Sequence, residues 1–344
     1  MTKIQTVTGE ISSAQLGITL THEHIFNDVK SWWHAPYDDN PRSLQLVNEK
    51  VSIENIWELK HDPFINKDNC SLDNEDLALE EVLHFKNLGG GTIFEATSAS
   101  IGRNPEALKR LSEKSNLNIV MGTGLYLDSS MGAEVNNMST SDIARQIVND
   151  ITVGKDGIKA GFIGEIGVSS EFTDREKKSL IGATLAMTET GVPMQVHMPG
   201  WFRLGDQVLD LIEENGGNLK SVILCHMNPS GFDFDYQLSL LSRGAFLQYD
   251  MVGMELFYAD QQVQCPSDEE NAQNIKRLAD AGWLRKVLVS SDIFLKMLLR
   301  KYGGPGYGHI LEFFIPRLIR AGLTKDQALS LLTSNPASLF EKKN

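Results

Sequence analysis

Thr21-His22-Glu23-His24 closes the apolar run 16–20 near the start of the chain, and on an extended strand alternate side chains share a face. His22 and His24 therefore point one way and Glu23 the other. Two imidazoles on one strand face are half of a metal site, because a tetrahedral or five-coordinate divalent ion needs ligands that a single strand cannot supply. Two histidines near a strand end also suit a solvated or hydrogen-bonded core pair. What separates the two readings is whether partners lie elsewhere in the chain.

Outward from that stretch one unit recurs: a short β-branched run, then an amphipathic, charge-studded stretch of helical period. Runs 18–25, 91–97, 118–124, 161–166, 193–197, 221–226, 245–249 and 286–290 read as strands. Stretches 74–87, 105–115, 141–152, 174–190, 204–214, 235–242 and 268–281 read as helices. Eight strands alternating with helices in 344 residues predict an α/β fold, a (β/α)8 TIM barrel, with a doubly wound open sheet as the alternative. Residues 4–11 are expected to form a short N-terminal β-hairpin around Thr8-Gly9, and C-terminal helices are expected after the turn-rich Gly303-Gly304-Pro305-Gly306-Tyr307-Gly308. No charge block, low-complexity tract or Pro/Gly/Ser-rich linker divides the chain, so residues 1–344 are expected to form a single domain.

Composition bounds the partners. Hydrophobic content of 41% and charged content of 22% are ordinary for a globular protein. A net charge of -13 argues against nucleic acid or an anionic membrane as partner, since phosphates are met by Lys and Arg. The start of the chain carries no apolar signal stretch and no run reaches the length of a membrane span, so a cytoplasmic location is expected. Cys70, Cys225 and Cys265 lie far apart and form no CxxC, which suggests neither a disulfide framework nor a thiolate zinc site.

In a barrel the chemistry sits where the strands end. The first run ends in His22 and His24, the fourth in Glu165, the fifth in His197, the sixth in His226, and Asp292 follows the eighth. Of eight histidines in the chain, four fall at strand ends, and all six residues are good ligands for a borderline divalent ion. Singly each has a plain alternative: Glu165 as a helix cap or ion-pair carboxylate, His226 as a satisfied core histidine, Asp292 as an N-cap. Together, in this order, they favour a metal site.

Further segments carry a resemblance. Thr21-His22-Glu23-His24, Gly164-Glu165-Ile166-Gly167, Gln195-Val196-His197, Leu224-Cys225-His226 and Ser290-Ser291-Asp292 resemble the strand-end signatures of the phosphotriesterase-like family of the amidohydrolase superfamily. Tyr302-Gly303-Gly304-Pro305-Gly306-Tyr307 and Thr333-Ser334-Asn335-Pro336 extend the resemblance over nearly the whole chain. Phosphotriesterase itself bridges its metals with a carbamylated lysine, whereas this chain has Glu165, as the phosphotriesterase-homology proteins do. Many relatives read Ser-His-Asp where this chain has Ser290-Ser291-Asp292. The resemblance implies two divalent ions, zinc by expectation. One would be held by His22, His24, Glu165 and Asp292, the other by Glu165, His197 and His226, with a bridging hydroxide as nucleophile. Two cations sharing a water lower its pKa toward neutrality, and Asp292 is the expected catalytic proton acceptor and donor. Glu95 and Thr97 are the candidates to orient an imidazole from behind.

Substrate choice is expected in the loops: Tyr126 after the third strand, Trp201 and Arg203 after the fifth, Asn228 after the sixth, Asp250 and Glu255 after the seventh, Lys296 after the eighth. Plain alternatives stand beside these, with Trp201 packing on a neighbouring loop, Asp250 in an ion pair and Lys296 solvated. Trp32, Trp33 and Tyr37 form a lid or a subunit contact, and a homodimer is the expected assembly. The ligands imply hydrolysis of a small-molecule substrate, and the resemblance points to an ester-like bond, a lactonase or carboxylic esterase. An amidase acting on a small N-acylated amine or amino acid is the alternative, with phosphotriester hydrolysis as a side activity. A non-catalytic small-molecule binding protein is the reading from another class, disfavoured because a buried charge cluster is costly to keep without use. Ile293, Phe294, Leu295, Met297 and Leu298 around one Lys296 weigh against a phosphorylated sugar lactone.

Overall fold

Short hydrophobic runs separated by helices long enough to cross back over them can pair only in parallel, and the computed structural model, which describes residues 2–341, is built that way. Its eight principal strands are β1 (Ile18–Glu23), β2 (Gly90–Glu95), β3 (Asn118–Thr123), β4 (Phe162–Gly167), β5 (Met194–His197), β6 (Val222–Leu224), β7 (Phe246–Tyr249) and β8 (Val287–Val289). They lie in sequence order around a nearly closed barrel, and each neighbouring pair from β1 to β8 is parallel. Helices Glu75–Asn87, Pro105–Ser115, Thr140–Thr152, Asp174–Thr190, Gly205–Glu214, Phe234–Ser242 and Asp268–Asp280 fill the crossovers. Ser139, Thr173 and Ser267 start three of them with capping boxes, each side chain accepting the N–H three residues on. The chain closes with Ile315–Arg320, Lys325–Ser330 and Ser334–Ser338.

The expected hairpin is present, Lys3–Thr6 pairing antiparallel with Gly9–Ser12. Between β1 and the first crossover helix lies a long insertion with two short helices, Pro41–Leu46 and Ile56–His61, pinned at its base by the two-residue pair Asn27–Asp28 and Ser71–Leu72. Inward-facing Phe94, Val120, Phe162, Ile223, Phe246 and Leu288 fill the bore, with Ile4 of the hairpin and Phe340 of the C-terminus packed on the same cluster. A bore plugged at that end leaves the opposite, C-terminal end of the strands as the place for a pocket. Among the described residues no helix is long and apolar enough to cross a membrane.

The strands stop earlier than the runs in the sequence. His24, His226 and Asp292 lie just past β1, β6 and β8, and the last two adopt φ of 56° and 49°. Left-handed backbone at a residue with a side chain ends a strand and turns that side chain out of the pleat, here toward the barrel axis.

Candidate metal centre

The six strand-end residues converge on one spot. His24 Nε2 lies 3.4 Å from Glu165 Oε1 and 3.3 Å from Asp292 Oδ1. His22 Nε2 lies 3.6 Å from both Glu165 Oε2 and Asp292 Oδ1. On the other side of Glu165, Oε2 lies 3.1 Å from His197 Nδ1 and 3.4 Å from His226 Nε2. Ligand atoms around a tetrahedral ion with bonds of roughly 2.0–2.1 Å sit about 3.3 Å from one another, so these spacings suit shared coordination. His22, His24 and Asp292 form one group tight enough to hold an ion, and His22, Glu165 and His226 another.

The donor chemistry passes the same test. Nε2 of His22 and Oδ1 of Asp292 are buried without any hydrogen-bond partner. Two such atoms facing one another are costly unless something positively charged lies between them. The outer nitrogens are already committed: His22 Nδ1 donates to Gln195 Oε1 (3.0 Å), His226 Nδ1 to Asp250 Oδ1 (2.9 Å), and His24 Nδ1 to Thr97 Oγ1 (2.8 Å), whose hydroxyl donates to Glu95. Each of these bonds turns Nε2 into the cluster, where it offers a lone pair once its proton is lost. His197 is the exception, presenting Nδ1, with the Tyr126 hydroxyl 3.4 Å away.

Electrostatics follow from this crowding. Burial raises the Glu165 pKa, but the charge of His22 and the bonds from His197 and His226 outweigh it and hold the carboxyl well below its usual range. Asp292 is likewise held low against its burial by the His24 imidazole beside it and the charges of His22 and His226. Both carboxylates therefore stand ionised, as ligands must.

Above the cluster opens a cavity of about 680 Å³ lined by Trp32, Phe64, Tyr126, Trp201, Tyr258 and Phe294 together with His24, Glu165, His197, His226 and Asp292. Tyr126 and Trp201 thus stand where the sequence places substrate residues, and Trp32 of the insertion after β1 lines the same cavity. Arg203 and Lys296 do not. Arg203 donates to Asp233 Oδ2 (3.0 Å) and packs over Phe232 and Tyr236, while Lys296 donates to Asp68 Oδ1 (2.9 Å) in a smaller, separate cavity. A nearby carboxylate on a neighbouring loop is a stronger attraction for either cation than an apolar cavity. Among the described residues lining the large cavity none is Lys or Arg.

Two positioning residues escaped the sequence reading of roles. Gln195 lies two residues before His197, on the face of β5 that its alternation marks as inward; Asp250, expected among the substrate-choosing residues with an ion pair as the plain alternative, is the partner of His226.

Comparison with known proteins adds three findings. A profile of the phosphotriesterase family matches residues 2–340. A phosphotriesterase-related protein of Nematostella vectensis is 36% identical over 339 residues, 96% of either chain, and an N-acetyltaurine hydrolase of Danio rerio is 33% identical, covering 97% of this chain and 96% of its own. The crystal structure of a resiniferatoxin-binding protein from Rhodobacter sphaeroides is 49% identical and superposes with a TM-score of 0.96, over 98% of this chain and 95% of that one.

Proposed function

The chain belongs to the phosphotriesterase family, and from that premise we propose that it is a binuclear zinc hydrolase of uncharged ester-like bonds, a lactonase or carboxylic esterase. His22, His24, Glu165 and Asp292 would hold one ion, and Glu165, His197 and His226 the other. Bound there, two divalent ions supply Lewis acidity and lower the pKa of a shared water toward neutrality.

The chain's own residues do the rest. Glu165, already anionic, needs no carbamylation to bridge two cations. Gln195, Asp250 and the Thr97–Glu95 pair fix which nitrogen of His22, His226 and His24 faces inward. Asp292, ionised and only slightly exposed, takes a proton from the attacking water and returns it to the departing oxygen. Burial pushes the Tyr126 hydroxyl well above its ordinary pKa, so it stays protonated and able to donate to a substrate oxygen beside His197.

The observation that carries the choice of substrate is the absence of Lys and Arg from the described lining of the cavity. A phosphorylated or sulfonated substrate would enter with its charge unpaired, which is costly in an apolar pocket. The relationship to N-acetyltaurine hydrolases favours amide cleavage as a second reading. That bond is accessible to the same residues if Asp292 protonates the leaving amine, but an anionic tail meets no cation here.

A screen of the zinc-loaded protein against lactones, simple esters, N-acyl amino acids and aryl phosphotriesters tests this. Proton release fastest with lactones or esters is the expected outcome. Turnover of an N-acyl compound several orders of magnitude faster than every ester would replace this reading with the amidase one.

A further inference from the structure

Five rings from four separate loops form one continuous train along the cavity. Trp32 stacks on Phe64 with centroids 5.6 Å apart and 21° between planes. Phe64 lies 5.2 Å from Tyr258 and 6.2 Å from Phe294, and Tyr258 meets Trp201 edge-on at 5.8 Å. Phe294 ends the train 6.4 Å from the His24 ring, beside the metal cluster. Trp32 and Phe64 come from the insertion after β1, Trp201 follows β5, Tyr258 follows β7 and Phe294 follows β8. All five line the cavity.

The Tyr258 hydroxyl is already occupied, donating to Met254 Sδ at 2.8 Å. Along the train, what the wall offers a ligand is mainly ring surface. Size points the same way: at roughly 30 Å³ per water, a cavity of about 680 Å³ has room for some twenty waters, far more than a bare five-membered lactone displaces. Half-exposed Phe202 adds a further ring to the lining.

We propose that the substrate carries an aromatic ring, a neutral arylalkyl ester or aryl-substituted lactone whose ring stacks in this train while its carbonyl lies at the His24–Asp292 end. The nature of the bond rests on the ester reading above; the ring preference is a property of the wall alone. Pairs of aromatic rings bind more tightly than their buried area accounts for, by roughly two- to tenfold per contact.

The test compares methyl 3-phenylpropionate with methyl 3-cyclohexylpropionate, equal in chain length and differing in ring character. The zinc-loaded protein is expected to show a kcat/KM ratio of about tenfold in favour of the phenyl ester, and the ratio should collapse toward one in Phe64→Leu and Trp201→Leu. A ratio at or below one in the unmutated protein overturns the proposal, as does a ratio that both variants leave intact. Calorimetric binding of 4-phenyl-2-butanone against 4-cyclohexyl-2-butanone reads the same preference without bond cleavage, and equal affinities overturn it equally. If both esters are inert while the matching N-acyl amines are cleaved with phenyl preference, the ester reading fails and the aromatic one stands.

Discussion

Glu23 accepts the backbone N–H of Ser291 at 2.8 Å and that of Ile293 at 2.9 Å, so one carboxylate grips Asp292 from both sides. It also accepts the Ser290 hydroxyl at 2.7 Å, while that hydroxyl oxygen receives the His22 N–H at 3.1 Å. No backbone ladder joins β8 to β1 among the described residues, and this side chain bridges the seam. Burial raises Glu23 to about 7 even against those three donors. Pointing away from the cluster of candidate ligands, it holds in place the left-handed turn that aims Asp292 into it.

Glu23→Gln keeps the shape but sets an NH2 group against one of the N–H donors. Turnover is expected to fall roughly 10- to 100-fold, with KM and bound metal changing little. Loss of metal in step with activity would show that Glu23 serves the fold of the site as a whole rather than the aim of Asp292.

His24 should release a proton when metal binds. Burial works against its charge, but the Asp292 and Glu165 carboxylates beside it, at 3.3 and 3.4 Å, outweigh that and raise its pKa to about 10. The metal-free imidazole is therefore protonated at pH 8, whereas a ligand must be neutral. Affinity for zinc should rise with pH toward 10, and calorimetry at pH 8 in buffers of different ionisation heat should find at least one proton released per chain. Uptake without proton release contradicts this assignment, and so does full metal content in His24→Ala.

Glu165 carries a fixed negative charge, so reconstitution with zinc should not depend on bicarbonate. Glu165→Gln should bind about one ion per chain instead of two by elemental analysis. If bicarbonate were required, the bridge would have to be another residue.

Asp292→Asn keeps an oxygen for the metal and removes the proton acceptor. Activity should fall about 10²- to 10⁴-fold while zinc content stays near two per chain. Near-full turnover in the variant would mean that the proton leaves by another route.

Much of this site is legible in the sequence. Period-two alternation is local physics, so His22 and His24 on one face, and the inward set of each barrel strand, follow from neighbouring residues alone. The strand-end positions of Glu165, His197, His226 and Asp292 likewise needed only the boundaries of apolar runs. What tertiary structure decided were the partners. Arg203 and Lys296 looked like substrate residues until the fold placed Asp233 and Asp68 beside them, the latter 228 positions away. Glu23 read as a residue facing away from the chemistry, yet its donors arrive from 267 to 270 positions later. Gln195 reaches His22 across 173 residues and Asp250 reaches His226 from the next strand. A side chain's spacing along its own strand is fixed by backbone geometry, but which charge or donor it meets is fixed only when the barrel closes and brings loops distant in sequence within 3 Å.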